Sequence, residues 1–124
     1  MKIAILDDYQ DAALSMADWS AVERQAEITV FADHLADQDD LVARLEPFDV
    51  ICVMRERTPL PREVIERLPR LKLIASTGPG NASIDYGAAA ADDVVVTDTR
   101  YDPTSTVELT WALIMASSRH VVEE

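Results

Sequence analysis

Five short apolar runs set the rhythm of this chain: Lys2 to Leu6, Ile28 to Phe31, Asp49 to Val53, Leu71 to Ala75 and Val94 to Val96. Their starts, at positions 2, 28, 49, 71 and 94, are separated by 26, 21, 22 and 23 residues, which leaves room for one helix and two short loops each time. The runs are nearly continuous in Val, Ile and Leu instead of alternating with polar residues. That is the pattern of parallel strands covered by helices on both faces.

The intervening segments carry helical periodicity. Ala12, Ala13 and Met16 give the first an apolar side, and Trp19 with Val22 suggests a second short helical piece or a turn-broken continuation. Leu41, Val42 and Leu45 share a face behind Asp39-Asp40, whose charges suit the positive end of a helix. Pro61 opens the next helix, Val64, Ile65 and Leu68 form its buried stripe, and Pro69 ends it. Ala82-Ser83-Ile84-Asp85 reads as a capped start of another, and 104–124 as a long last helix. The pattern predicts one α/β domain, a doubly wound five-stranded parallel sheet in the flavodoxin-like order 2-1-3-4-5.

Ligands of such sheets bind beyond the carboxyl ends of the strands, near the point where the strand order reverses. Three loops fall there: Asp7-Asp8-Tyr9, Arg55-Glu56-Arg57-Thr58 and Ser76 to Asn81. In the third, Gly78-Pro79-Gly80 holds two of the chain's three glycines. Such a loop can offer backbone N–H groups to a small anion, or can simply be a tight turn that needs permissive dihedrals. It lacks the GxGxxG spacing of a dinucleotide-binding turn. Arg55 and Arg57 can grip a carboxylate through paired hydrogen bonds, or can pair with surface acids.

Charge and composition narrow the field. With 124 residues and a net charge of -12, the chain is a single acidic domain that would repel a nucleic-acid backbone. No apolar stretch approaches the ~20 residues of a membrane helix, and the first strand runs straight into Asp7-Asp8, unlike a signal peptide. The expectation is a cytoplasmic protein with no membrane partner. Cys52, the only cysteine, sits in an apolar run and is expected to pack as a small core residue, with neither disulfide nor CxxC metal site.

Asp7 and Asp8 raise the idea of a phosphoacceptor receiver domain. That fold also needs an aspartate after the third strand and a lysine after the fifth, where this chain has Arg55 and Thr97-Asp98-Thr99. An acidic loop capping the first helix is the better reading. His34, in a polar loop, and His120, near the end of the last helix, complete no triad or metal site, so no catalytic or metal-binding residue is assigned.

The last helix is unusual. Leu109, Trp111, Ala112, Leu113, Ile114, Met115 and Ala116 make it apolar on every side. One side is expected to pack on the sheet, and the other calls for another domain or subunit. The expectation is a homo-oligomer, with exchange of this helix between copies as one arrangement. Glu123 and Glu124 sit where a helix end prefers cations and no cap follows, so the chain reads as cut in mid-element.

Two stretches carry a family resemblance: LKLIASTGPGNASID, from Leu71 to Asp85, and TSTVELTWALIMA, from Thr104 to Ala116, with Arg55 to Thr58 as a weaker third. Through them the chain resembles the amino-terminal part of the D-isomer-specific 2-hydroxyacid dehydrogenases, NAD(P)-dependent enzymes that interconvert 2-hydroxy and 2-oxo acids. The resemblance implies substrate-carboxylate binding by Arg55, Gly78, Pro79, Gly80 and Asn81, and places Thr106 where the helix start approaches the cofactor. Pro79 departs from the family pattern and lacks an N–H. Glu108 matches an acid that favours the helix start.

The family's GxGxxG turn, catalytic arginine and glutamate–histidine pair have no counterpart in these residues. The resemblance therefore implies a flavodoxin-like substrate-binding domain over 1–124, with 104–124 as a connecting helix and the Rossmann domain absent. The complete enzyme would use NAD or NADP on a small 2-oxo or 2-hydroxy acid. The isolated chain is expected to be inactive and to bind no cofactor. The alternative is a stand-alone flavodoxin-like module that self-associates through its last helix.

Overall fold

A computed structural model describes residues 1–100 and 102–119. Five parallel strands, β1 (Lys2–Ile5), β2 (Glu27–Val30), β3 (Val50–Val53), β4 (Leu73–Ser76) and β5 (Val95–Asp98), form one sheet in the order β2-β1-β3-β4-β5. This is the order expected from the strand spacing. The register sets Val53 beside Ser76 and Ser76 beside Asp98, so the carboxyl ends of β3, β4 and β5 finish level and their loops meet.

Alternation along each strand divides the sheet into two faces. Ala4, Leu6, Ile51, Val53 and Ile74 point to the main core, where they meet the buried stripes of α2 (Gln38–Leu45), α3 (Arg62–Ile65) and α4 (Tyr86–Ala91). The stripe Leu41, Val42 and Leu45 is buried, and so are Val64, Ile65 and Leu68. Asp37 caps α2 by accepting from the amides of Asp39 and Asp40, and Asp85 caps α4 by accepting from Ala88 N–H at 2.7 Å. The regular part of α3 ends at Ile65, and tighter i→i+3 bonds from Arg67 and Leu68 carry the chain to Pro69.

The opposite face is covered only in part. Ile3, Ile5 and Val50 pack there against Ala13, Trp19 and Val22. The first crossover is thinner than its periodicity suggests, a 3-10 turn at Ala13–Ser15 followed by the one-turn α1 (Ser20–Glu23), and Met16 points to solvent instead of to the sheet. Trp19 joins the two pieces by donating its indole N–H to Ala13 O at 3.0 Å. Cys52 packs on this thin side and is half-buried.

The last helix, α5 (Thr104–Ser118), corrects a second expectation. It does not lay one side on the sheet: it contains no buried residue, and Leu109, Trp111 and Leu113 are each more than 60% exposed. Val95, on the thin face of β5, is likewise 57% exposed. An apolar helix and an uncovered strip of sheet thus occur in the same chain. His120, Glu123 and Glu124 lie outside the described residues.

Candidate functional site

The loops after β3 and β4 are locked together at Arg55. Its backbone takes a left-handed conformation, φ +52°, which swings the chain off the strand end. The Arg55 N–H donates to Thr77 Oγ1 at 3.0 Å, and its carbonyl accepts from Asn81 Nδ2 at 2.7 Å. Asn81 is buried and uses both ends of its amide: Nδ2 also donates to Ser76 Oγ at 3.0 Å, while Oδ1 accepts from the Ser83 amide at 3.0 Å and from its hydroxyl at 2.6 Å. The Arg55 guanidinium lies against Gly78, with Nη1 3.6 Å from where a Cβ would stand.

Gly78 and Gly80 have φ of +86° and +61°, so both glycines meet a backbone requirement. Their amides differ from the open cradle that the loop sequence suggests. Gly78 N–H donates to Thr99 Oγ1 at 2.8 Å, Gly80 N–H to Asp98 Oδ2 at 3.0 Å, and Asn81 N–H to Tyr86 Oη at 3.0 Å. The cause is tertiary. Because Ser76 and Asp98 are register partners, the end of β5 lies alongside the glycine loop, and Asp98 and Thr99 supply two of its acceptors.

Arg55, Gly78, Gly80 and Asn81 are therefore brought into one cluster, with Pro79 exposed at its tip. Thr106 lies in the exposed first turn of α5, where its carbonyl accepts from Thr110 Oγ1 at 2.7 Å. Asp102 steadies the start of this helix by accepting from both the amide and the hydroxyl of Thr104, bonds that hold its carboxyl below the usual carboxylate value.

A second polar cluster was not foreseen. Asp7, only 1% exposed and left-handed at φ +58°, accepts from Thr58 Oγ1 at 2.6 Å. Its other carboxylate oxygen lies 3.0 Å from His34 Nδ1 and 3.2 Å from the Tyr9 hydroxyl. His34, from the polar loop after β2, is thus engaged with Asp7. Arg57 donates to the Asp7 carbonyl at 2.9 Å and stacks over the Tyr9 ring, so this arginine braces the β1 loop. Partial burial and the nearby Asp7 charge hold the Tyr9 phenol above its ordinary value.

The only sequence signal for this cluster is a carboxylate directly after an apolar strand. Asp8 does what an acidic loop was expected to do, accepting from the amides of Ala12 and Ala13 at the head of the 3-10 turn.

On the thin face of the sheet, a largely apolar groove of about 460 Å³ opens between Ile5, Trp19, Cys52 and Met54 and reaches the loops at Thr77 and Thr99. Burial there pushes the Cys52 thiol above its ordinary value. Among the described residues no group of three or more His, Cys, Asp or Glu is arranged to hold a metal ion. The turn after β1 is filled by the buried carboxylates of Asp7 and Asp8, where the pyrophosphate site of a dinucleotide-binding turn needs glycine and open amides.

The profile of the D-isomer-specific 2-hydroxyacid dehydrogenase catalytic domain matches residues 3–123, nearly the whole chain. The chain belongs to the D-isomer-specific 2-hydroxyacid dehydrogenase family. Hydroxypyruvate reductase of Blautia hydrogenotrophica is 28% identical over 98% of this dehydrogenase-family chain and 37% of its own length. D-3-phosphoglycerate dehydrogenase of Methanocaldococcus jannaschii is 28% identical over 98% of the chain and 22% of its own length. The chain thus spans little more than a third of the length of these curated relatives, or less.

Among solved structures, a phosphoglycerate oxidoreductase from Vibrio cholerae superposes with a TM-score of 0.81 and 39% identity, over 97% of this chain and 38% of its own. Among the described residues no helix is long and apolar enough to cross a membrane.

Proposed function

We propose that this chain is the substrate-binding part of an NAD(P)-dependent oxidoreductase acting on the CH–OH group of a small D-2-hydroxy acid, in the reverse direction on a 2-oxo acid. The reading rests on one observation above all, the Arg55 guanidinium laid against Gly78 while Asn81 clamps the Arg55 carbonyl. A guanidinium fixed beside a glycine turn offers charge and close backbone approach together, which suits a small carboxylate better than a bulky ligand. In this reading Arg55, Gly78, Pro79, Gly80 and Asn81 line the substrate carboxylate, and Thr106 faces the nicotinamide cofactor supplied with the rest of the enzyme. The proposed location is the cytoplasm.

Hydride donor, proton donor and nucleotide site then lie elsewhere in the complete enzyme, and the chain alone has no dehydrogenase activity. The test is a titration of the ¹⁵N-labelled chain with pyruvate and glyoxylate, together with an NADH-oxidation assay. Weak, saturable shifts confined to the Arg55, Gly78, Gly80 and Asn81 amides, with no NADH oxidation, are expected. Turnover by the chain alone, or shifts centred on another loop, would refute the reading.

A second reading is favoured by α5. Its exposed Leu109, Trp111, Leu113, Ile114 and Met115, together with the exposed Val95 of β5, suit a module that self-associates, with exchange of the helix between copies as one arrangement.

A further inference from the structure

The glycine loop already holds an anion, and it comes from the chain itself. Asp98 Oδ2 accepts from Gly80 N–H at 3.0 Å while Thr99 Oγ1 accepts from Gly78 N–H at 2.8 Å, and Pro79 between them has no N–H to give. Every N–H from Gly78 to Asn81 is engaged within the chain, but only one partner is charged.

The position of Asp98 is not accidental. It is the last residue of β5, paired in register with Ser76 at the end of β4, so the ladder itself delivers its carboxylate to the loop that follows Ser76. A second carboxylate approaching the Gly80 amide would meet a like charge at contact distance, an unfavourable encounter even where water screens it.

We infer that Asp98 is a specificity-determining residue of the proposed carboxylate site: its side chain occupies the Gly80 amide as an internal anion, and a small carboxylate reaches that amide only by displacing it. The inference rests on the reading above, in which the loop takes a 2-oxo acid. It assigns to β5, an element outside the three loops singled out by sequence, control over how tightly the glycine loop accepts an anion. Asn at 98 keeps an acceptor oxygen for Gly80 N–H and removes the charge; Ala removes both. Asp98 is exposed, so neither replacement opens a hole in the core.

The experiment compares the ¹⁵N-labelled chain with its Asp98→Asn and Asp98→Ala variants. Each is titrated with pyruvate and, separately, with the uncharged pyruvamide, following the Gly78, Gly80 and Asn81 amides. Urea unfolding checks that the variants keep their stability. The expected result is at least about tenfold tighter pyruvate binding in both variants (1.4 kcal/mol), with pyruvamide unchanged in Asp98→Asn. A gain shared equally by pyruvamide in that variant would overturn the charge argument, because a loosened loop would help both ligands. Equal pyruvate affinity in all three proteins would overturn the role of Asp98 and leave the carboxylate site standing. Absence of any shift at these amides in all three would sink the carboxylate site, and the role of Asp98 with it.

Discussion

Thr58 donates its hydroxyl to Asp7 Oδ2 at 2.6 Å, joining two loops whose residues stand 51 positions apart. Both side chains are buried, so the bond ties the end of β1 to the loop that carries Arg55. Removing the hydroxyl leaves a buried carboxylate short of a donor. Thr58→Val is expected to cost about 1–3 kcal/mol, the usual penalty for orphaning such a group. Urea unfolding at neutral pH measures it, and a loss within error of zero would show that water replaces the hydroxyl freely.

Asn81 is the other fastener. Its side chain bonds Arg55 O, Ser76 Oγ and both donors of Ser83, so Asn81→Ala strands several partners at once. The expected cost is about 2–4 kcal/mol, from more than one hydrogen bond lost in a buried place. Arg55 should then lose its fixed geometry. Faster amide exchange at Ser83, with the α2 amides unchanged, would mark the damage as local.

Gly78→Ala tests the backbone and not the space. A methyl group would meet the Arg55 guanidinium at 3.6 Å, an ordinary contact, but φ is +86°. The strain of holding a side chain in that region predicts a loss of about 1–2 kcal/mol. At Gly80 a Cβ meets nothing within 4 Å and φ is +61°, so Gly80→Asn should be milder, since asparagine tolerates the left-handed region. Thermal melts of the two variants would reverse this order if packing, not dihedral strain, set the cost.

The helix α5 makes the opposite kind of prediction. Because it contains no buried residue, Trp111→Glu and Leu113→Glu should leave the unfolding free energy of the domain within about 0.5 kcal/mol of the parent, as for ordinary surface changes. Self-association, if it runs through this helix, should fall sharply in the same variants. Sedimentation velocity over a concentration series reads it. An unchanged association constant would acquit the helix.

Acid should weaken the fold through particular carboxylates. The Lys2 amide, with help from Arg70, holds the Asp49 carboxyl below its ordinary value, and the Arg44 side chain does the same for Asp33. Such groups contribute stability that is fully present above the ordinary value of 3.8 and is lost as pH falls below it, through their lower folded values. Unfolding free energy should therefore be flat in this contribution from neutrality to about pH 5 and decline in more acid solution. In Asp33→Asn the slope of that decline should be shallower.

The strands were legible because their evidence is local. A run such as Val50-Ile51-Cys52-Val53 is apolar enough to be buried on both faces wherever it stands, and even spacing leaves few connections besides right-handed crossovers. Leu41, Val42 and Leu45 declared their face for the same reason. The two short helical pieces of the first crossover stand where the sequence puts them, but Ala12, Ala13 and Met16 are weakly informative about a face: two alanines fit a core or a surface, and Met16 faces water. Of the site, Arg55 and the glycines were visible as residue types at strand ends. Asp98 was not, because nothing in Val96-Thr97-Asp98-Thr99 says that its carboxylate will cross to a loop eighteen residues earlier.

The sequence alone determined which segments are strands, their order in the sheet and the end of the sheet where polar loops gather, since periodicity and chain connectivity are properties of the chain itself. Only the tertiary structure decided who satisfies whom at that end. Hydrogen-bond partners such as Asp7 and Thr58, or Gly80 and Asp98, are chosen by strand register and loop dihedrals, which place distant residues within 3.0 Å of each other. The same holds for α5: its composition asked for burial, but whether the sheet or something else supplies it depends on the path of the chain after β5, and the sheet buries none of the helix's described residues.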